Sequence, residues 1–241
     1  DVVLFAVKTY DNDTALPMLS PLVGDDTVVL TLQNGVDSSD ELAGVVGEGR
    51  VLGGATYIAT ALSAPGLIEQ TGTHRKIVFG EAFGDRSRVS DRVSALGQLM
   101  EAADIEVETV ADARRRLWEK LIYLCPFASF TGAARSPIGK LWSDPDTRQR
   151  FMAAVAEVEA VARAEGVDVS NEVTQDIRAY MDSLPAATRS SMLIDLSQGK
   201  RIEVEALQGV IVRRGAALGV ATPIVGAHYA VLKPHAGGAS A

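Results

Sequence analysis

The segment around Lys120 contains the side chain best suited to acid–base chemistry. By helical spacing Arg116, Lys120 and Leu124 share one face, and residues 122–131, which follow, are almost wholly apolar. The lysine therefore lies where a helix enters the core. Removing an ammonium from water lowers its pKa, so such a lysine can give up a proton near neutral pH. We predict that Lys120 is a general acid, although a charge run on a helix is more often a solvated face.

Two further polar side chains follow apolar runs of strand length. Lys8 ends the first run, and Asn34 comes after the second, in Leu32-Gln33-Asn34-Gly35. Open α/β sheets bind ligands at the carboxyl ends of their strands, so both side chains are candidate binding residues. The alternatives remain open, because Asn-Gly is a strong turn dipeptide and Lys8 could be a solvated side chain.

A hydroxyl pair and a carboxylate lie further along the chain. Ser190 and Ser191 precede an apolar stretch, and Glu203 and Glu205 follow the break at Gly199. The serines could cap a helix, and both carboxylates suit a helix N-terminus. Glu203 would join Lys120 if the helices fold back onto the ligand edge of the sheet.

Other chemistries are disfavoured. His74, His228 and His235 are scattered, so no metal site is expected. No Gly-x-Ser-x-Gly hydrolase elbow occurs. Cys125 is the single cysteine and lies in an apolar segment, which indicates a buried structural thiol and excludes an internal disulfide.

The charge balance limits the partners. The 241 residues include 23 Lys and Arg against 31 Asp and Glu, a formal net charge of −8. This argues against binding to nucleic acid or to an anionic membrane. Residues 1–8 lack the features of a signal peptide, and glycines and a proline interrupt the uncharged stretch Gly215–Leu232. We read that stretch as buried helix and turn, and expect a cytoplasmic protein.

The first part of the chain has the pattern of a parallel sheet. Val2–Val7 and Thr27–Leu32 are apolar runs, with a helix predicted over Asn12–Val23 between them. Ser38 and Glu41 suggest a capping box at the next helix. Further elements are predicted as strands at Val51–Ala59, Gly66–Gln70, Lys76–Gly80 and Ile105–Val110 and a helix at Ser87–Ala102.

From Asp112 onward helical periods replace the strand-like runs. One apolar stripe comprises Phe151, Val155, Val158 and Ala162, and a second comprises Val204, Leu207, Ile211 and Leu218. We predict an α/β unit at residues 1–110 and an all-helical unit at 111–241. The first resembles the second half of a doubly wound sheet. Its nearest approach to a dinucleotide fingerprint, at Gly47-Glu48-Gly49, lacks a glycine and enters a strand where it should leave one.

The motifs in chain order resemble those of the ketopantoate reductase (2-dehydropantoate 2-reductase) family, from Asp1 to about Pro234. They are Val7-Lys8, Leu32-Gln33-Asn34-Gly35, Gly53-Gly54, Pro65-Gly66, Trp118-Glu119-Lys120-Leu121, Ser190-Ser191-Met192, and Glu203 with Gly209. The resemblance implies an NADP-binding Rossmann domain followed by a helical domain like that of 6-phosphogluconate dehydrogenase. It also implies that the first strand and the Gly-rich turn lie upstream of Asp1.

The resemblance implies NADPH-dependent reduction of ketopantoate to (R)-pantoate, in pantothenate and coenzyme A biosynthesis. Lys120 would be the catalytic acid, Asn34 would lie beside the nicotinamide and the substrate, and Ser191 would contact the substrate carboxylate. Cofactor contacts would be made by Lys8, Asn34, Ala59 and Glu203.

Three positions depart from the family pattern. Where asparagines commonly hold the substrate, this sequence has Leu124, Ala128 and Ile138. Lost hydrogen bonds of this kind can change specificity strongly. A reductase of a more apolar 2-keto acid is therefore a second hypothesis, and a non-catalytic helical interaction module is a third. Apolar surface on the helical domain also suggests a homodimer.

Overall fold

The computed structural model of the chain describes residues 1–239, apart from the side chains of residues 59, 61, 62 and 71–74. The chain forms two compact units. The first comprises Asp1–Gln33 and Ser38–Leu117, and the second comprises Asn34–Asp37 and Trp118–Ala241. The short segment Asn34–Asp37 thus belongs to the second unit, although the chain on both sides of it belongs to the first.

The first unit is built on a five-stranded sheet in the order β1-β2-β3-β4-β5. Strands β1, β2 and β3 are parallel, β4 runs antiparallel to β3, and β5 is parallel to β4. The strands are β1 Val2–Phe5, β2 Val28–Thr31, β3 Val51–Ala64, β4 Leu67–Glu81 and β5 Glu106–Asp112.

Helices cover both faces of this sheet. Successive strand residues point to opposite faces, and Val29 and Leu30 of β2 accordingly belong to different apolar clusters. Helix α2 (Ser38–Val46) packs into the cluster of Val29, and helix α3 (Asp91–Ala102) packs into that of Leu30. The predicted α/β class, with a mostly parallel sheet, is confirmed.

The two strands predicted at Gly66–Gln70 and Lys76–Gly80 are one strand, β4. Both parts of β4 pair antiparallel with β3, residues 67–70 with residues 60–64 and residues 75–81 with residues 52–58. The register shifts between these two parts, between Ile58 and Thr60 of β3. Gly66 makes the hairpin turn with a positive φ of 77°, which favours glycine.

The helix predicted over Asn12–Val23 is α-helical only as α1 (Asn12–Ala15), between 3₁₀ turns at Thr9–Asp11 and Leu16–Leu22. Proline supplies no N–H, so Pro17 and Pro21 prevent regular α-helical bonding.

Two predicted helix N-termini, at Ser38 and at Ser87, also need correction. The predicted capping box is wrong, because Ser38 is already the first residue of α2 and Glu41 accepts a hydrogen bond from Asn12 Nδ2 at 2.5 Å. Helix α3 begins at Asp91 and not at Ser87, because the Ser90 side chain caps it by accepting from the Val93 N–H.

The second unit is helical, with α4 (Ala113–Ala134) continuing into it from the first. The other helices are α5 Ile138–Ser143, α6 Pro145–Ala164, α7 Val173–Ser183, α8 Ser191–Ser197, α9 Val210–Leu218 and α10 Pro223–Leu232, with a π-helical segment at Glu205–Gly209 before α9 and a 3₁₀ turn at Lys233–His235.

The predicted apolar stripes hold in part. All four stripe residues of α6 are buried, but Leu218 is 41% exposed, since it lies at the last turn of α9 before the left-handed Gly219. Residues 215–232 form a helix and a turn as predicted, but the predicted burial is wrong for most of the stretch, in which only Gly215, Val225 and Leu232 are buried. Within residues 1–239, no helix has the length and apolar character needed to cross a membrane.

Gly54 has no room for a side chain. A Cβ there would lie 2.9 Å from the Thr31 backbone oxygen and close to the side chains of Leu30 and Leu32. A glycine at this position therefore lets β3 lie against the buried β2.

We expect Gly54→Ala to destabilise the protein by about 1–3 kcal/mol, because the added methyl overpacks the sheet. Urea unfolding would measure this loss. Gly44→Ala is the matched control, since its Cβ would meet nothing within 4 Å on α2 and alanine favours helix. Equal stability of the two variants would contradict the packing argument.

Candidate active site

Lys120 lies on α4 with its side chain withdrawn from water. The residue is 9% exposed, and burial lowers the pKa of its ammonium to about 8, while the nearby charge of Glu203 opposes the decrease. The predicted desolvated lysine is confirmed. Near neutral pH this group holds a proton that it can readily release.

Asn34 connects the lysine to a carboxylate. Lys120 Nζ donates to Asn34 Oδ1 at 3.0 Å, and Asn34 Nδ2 donates to Glu203 Oε2 at 3.2 Å. An ammonium only donates and a carboxylate only accepts, which fixes the orientation of the amide between them. All three groups belong to the second unit, and the predicted turn at Asn34 therefore also carries part of the site.

Glycine at position 35 allows this arrangement. Its φ is 95°, and a Cβ would lie 2.8 Å from the backbone oxygen of Ala206 in the π-helical segment. The segment Asn34–Asp37 therefore passes directly against the turn that follows Glu203.

The π-helical segment Glu205–Gly209 is bonded to α4 through Gln208. Gln208 is fully buried and donates to the Cys125 backbone oxygen at 3.2 Å and to Ser129 Oγ at 2.9 Å. Short π-helical turns are frequent at functional sites. Sequence reasoning did not identify Gln208, although a lone amide in an apolar helix was the available signal.

The other predicted site residues lie outside this cluster or cannot be placed. Ser191 is the exposed first residue of α8, and the buried hydroxyl beside it belongs to Ser190, which caps α8 and lies 2.7 Å from Thr131 Oγ1. Lys8 is half-buried after β1 in the first unit. Ala59 lies in β3, but its side chain is outside the described residues.

The three positions that depart from the asparagine pattern are buried. Leu124 and Ala128 follow Lys120 by one and two turns of α4, and Ile138 begins α5. Each therefore presents hydrocarbon to the protein interior.

The cysteine and the histidines, which the sequence offered as a nucleophile and as metal ligands, lie outside this cluster where their side chains are described. Cys125 is buried and its pKa is raised by burial, as expected of a structural thiol. The His228 ring contacts the Phe130 ring, with centroids 4.4 Å apart and the ring planes tilted by 33°. The side chain of His74 is outside the described residues. Among the described side chains, no group of three or more His, Cys, Asp or Glu could hold a metal ion.

A pyridine nucleotide fits the donor set in part. In the second unit, Asn34 offers an amide beside the buried acid. The described residues include no Gly-rich turn from a strand into a helix. The residues present therefore suit the nicotinamide end of the cofactor better than its diphosphate.

Comparisons with known proteins identify the family. Residues 1–84 match the family model "Ketopantoate reductase PanE/ApbA", and residues 112–236 match the model of that family's C-terminal part. A 2-dehydropantoate 2-reductase of Caulobacter vibrioides is 33% identical over 92% of this chain and 73% of its own. An uncharacterized oxidoreductase of Bacillus subtilis, YkpB, is 27% identical over 97% and 76%. The crystal structure of a PanE/ApbA family ketopantoate reductase from Ralstonia eutropha superposes with a TM-score of 0.86, at 32% identity, covering 98% of this chain and 75% of that one.

We expect Glu203→Gln to lower the pKa of Lys120 by up to about one unit, because a nearby opposite charge favours the ammonium. NMR titration of ¹³Cε-labelled lysine would measure the change. Glu205→Gln is the matched control, since Glu205 is half-exposed and bonded instead to Arg213 and Tyr229. A Lys120 pKa that responds equally to both substitutions would contradict the assignment.

Proposed function

Because the chain belongs to the ketopantoate reductase family and is an oxidoreductase of that type, we propose that it reduces ketopantoate to (R)-pantoate with NADPH. The observation that carries the proposal is the buried ammonium of Lys120, bonded to Asn34 and poised near pH 8. The division at residue 110 and the homodimer remain predictions.

The reaction adds one hydride and one proton to a 2-keto acid, and the chain supplies the proton. When bound, the reduced nicotinamide supplies the hydride to the carbonyl carbon. Lys120 donates a proton from Nζ to the carbonyl oxygen, so the C=O bond becomes CH–OH and the lysine is left neutral until solvent reprotonates it. Its positive charge also stabilises the oxygen as negative charge develops there.

Asn34 and Glu203 prepare Lys120 for this role. Asn34 Oδ1 holds one N–H of the ammonium, which limits the directions in which the remaining protons point. Glu203 holds the amide from its other side and favours the charged lysine. We assign Lys8, Asn34, Ala59 and Glu203 to the cofactor, and Asn34, Lys120 and Ser191 to the substrate, on the family resemblance.

A second candidate substrate class is a more apolar 2-keto acid. Its support is the buried hydrocarbon of Leu124, Ala128 and Ile138, where the family commonly has amides. A site built to hydrogen-bond a substrate hydroxyl discriminates strongly through those groups, and this chain lacks the three amides.

We expect Lys120→Ala to lower kcat about 10²- to 10⁴-fold, because the general acid is removed. In the wild type, kcat/KM for reduction should fall as pH rises through about 8, since the ammonium loses its proton there. Oxidation of the hydroxy acid should show the opposite trend. Steady-state assays of the complete protein across pH would test both.

Lys140→Ala is the control for that variant, because Lys140 is an exposed lysine on α5. Wild-type rates in Lys120→Ala would overturn the general-acid role of Lys120, and a wild type without reductase activity would instead support the non-catalytic module.

We expect ketopantoate to have a higher kcat/KM than branched apolar 2-keto acids, measured with NADPH and with NADH. Leu124→Asn should shift the preference further toward ketopantoate by restoring an amide one turn after Lys120. An equal or higher kcat/KM for the apolar acids would replace ketopantoate with the second class. Faster turnover with NADH would overturn the NADPH assignment.

A further inference from the structure

Arg214 on α9 lies at the centre of a group that comprises Asp37, Glu165 and Trp118, called here the Arg214 cluster. Its Nη2 and Nε donate to Asp37 Oδ1 at 2.6 and 3.2 Å, and its Nη1 donates to Glu165 Oε2 at 2.9 Å. The guanidinium carbon lies 5.9 Å from the centre of the Trp118 ring. All four residues belong to the second unit.

This cluster differs from an ordinary surface ion pair. The side chains of Arg214, Asp37 and Glu165 are 23%, 31% and 16% exposed, so water screens their attraction only in part. The planar guanidinium also fixes the direction of each hydrogen bond, which a lysine ammonium does not. The cluster can therefore fix the position of the backbone segment that contains Asp37.

Asp37 ends the segment Asn34–Asp37, whose other end carries the site amide. The segment has no regular secondary structure and contains the left-handed Gly35, so ordering it costs conformational entropy. Asn34 holds one end through Lys120 and Glu203. The fork from Arg214 to Asp37 holds the other end.

Arg214 also contacts the helix that carries the acid. Trp118, under the guanidinium, precedes Lys120 by two residues on α4. The Arg214 side chain therefore contacts both the segment that contains Asn34 and the helix that contains Lys120, and these two must meet for Lys120 Nζ to reach Asn34 Oδ1.

We propose that Arg214 is a positioning residue, which through Asp37 and Trp118 holds Asn34 against Lys120. The proposal rests on the function proposed above and deepens it. Arg214 does not touch the reacting atoms, and it acts by keeping the amide where it orients the ammonium.

An effect of the Arg214 charge and an effect on the position of Asn34 would change the pKa of Lys120 in opposite directions, which makes the proposal testable. Removing the positive charge of Arg214 would by itself raise the pKa of Lys120. Loss of the Asn34 hydrogen bond would lower that pKa, because the amide oxygen stabilises the ammonium. Glu203 is the carboxylate that faces the lysine, and neither Arg214 variant below changes it.

The test compares Arg214→Lys, which keeps the charge and loses the fork, with Arg214→Gln, which loses both. We expect kcat to fall about 10- to 100-fold in both, since misplacement on the scale of 1 Å can cost that much. The alkaline limb of kcat/KM should move to lower pH, by up to about one unit for a lost charge-assisted hydrogen bond. The KM for the keto acid should change less than kcat.

Arg163→Gln is the matched control, because Arg163 also binds a glutamate, Glu159, and two loop carbonyls of the same unit. Its kcat and pH profile should equal those of the wild type, even if its melting temperature falls as far as that of the Arg214 variants. If Arg214→Gln fails to fold, the nearly isosteric Asp37→Asn replaces it, and its kcat is compared with that of Arg163→Gln.

An alkaline limb that moves to higher pH in Arg214→Gln, or a kcat within about threefold of the Arg163→Gln control, would overturn the positioning role. The proposed function would fail separately if the wild-type protein showed no reductase activity. In that case NMR titration of Lys120 in Arg214→Lys still decides the inference, and an unchanged pKa would reject it.

Discussion

The second unit is organised around the cost of removing the Lys120 ammonium from water. A charged lysine in the interior is unfavourable unless polar groups compensate for the lost hydration. Asn34 supplies a hydrogen bond and Glu203 supplies an opposite charge, yet the pKa of the lysine remains about 8. The compensation is therefore partial, and a partial compensation leaves a proton that can be transferred near neutral pH.

The same requirement explains features that would otherwise look unrelated. The loop segment Asn34–Asp37 belongs to the helical unit because its amide completes the environment of the lysine. Gly35 allows that segment to approach the backbone of Ala206. Gln208 adds hydrogen bonds from the π-helical segment to α4, and Arg214 adds hydrogen bonds from α9 to the segment Asn34–Asp37.

Much of this organisation was predictable from the sequence. Apolar runs located β1, β2 and the helical unit, and the apolar stretch after Lys120 indicated its burial. The roles of polar residues were harder to predict. The Asn34-Gly35 pair indicated a turn, and only the structure shows that Asn34 bonds to Glu203, 169 residues away. Pro17 and Pro21 changed a predicted helix into 3₁₀ turns, and the strands predicted at Gly66–Gln70 and Lys76–Gly80 are one strand, β4. Asp37 and Arg214 are 177 residues apart, and no local pattern marks them as partners.

The π-helical turn makes the number of residues near the site as important as their identity. In a regular α-helix, residues five apart point about 140° away from each other, whereas a π-turn bonds residues five apart and brings them onto one side. Gln208 lies inside this π-turn and reaches α4, whereas Glu203 lies before it on non-helical backbone. Deleting one residue from 205–209 would restore an ordinary helical repeat and turn Gln208 away from α4, so a change of length in this short segment breaks contacts that its individual side chains do not determine.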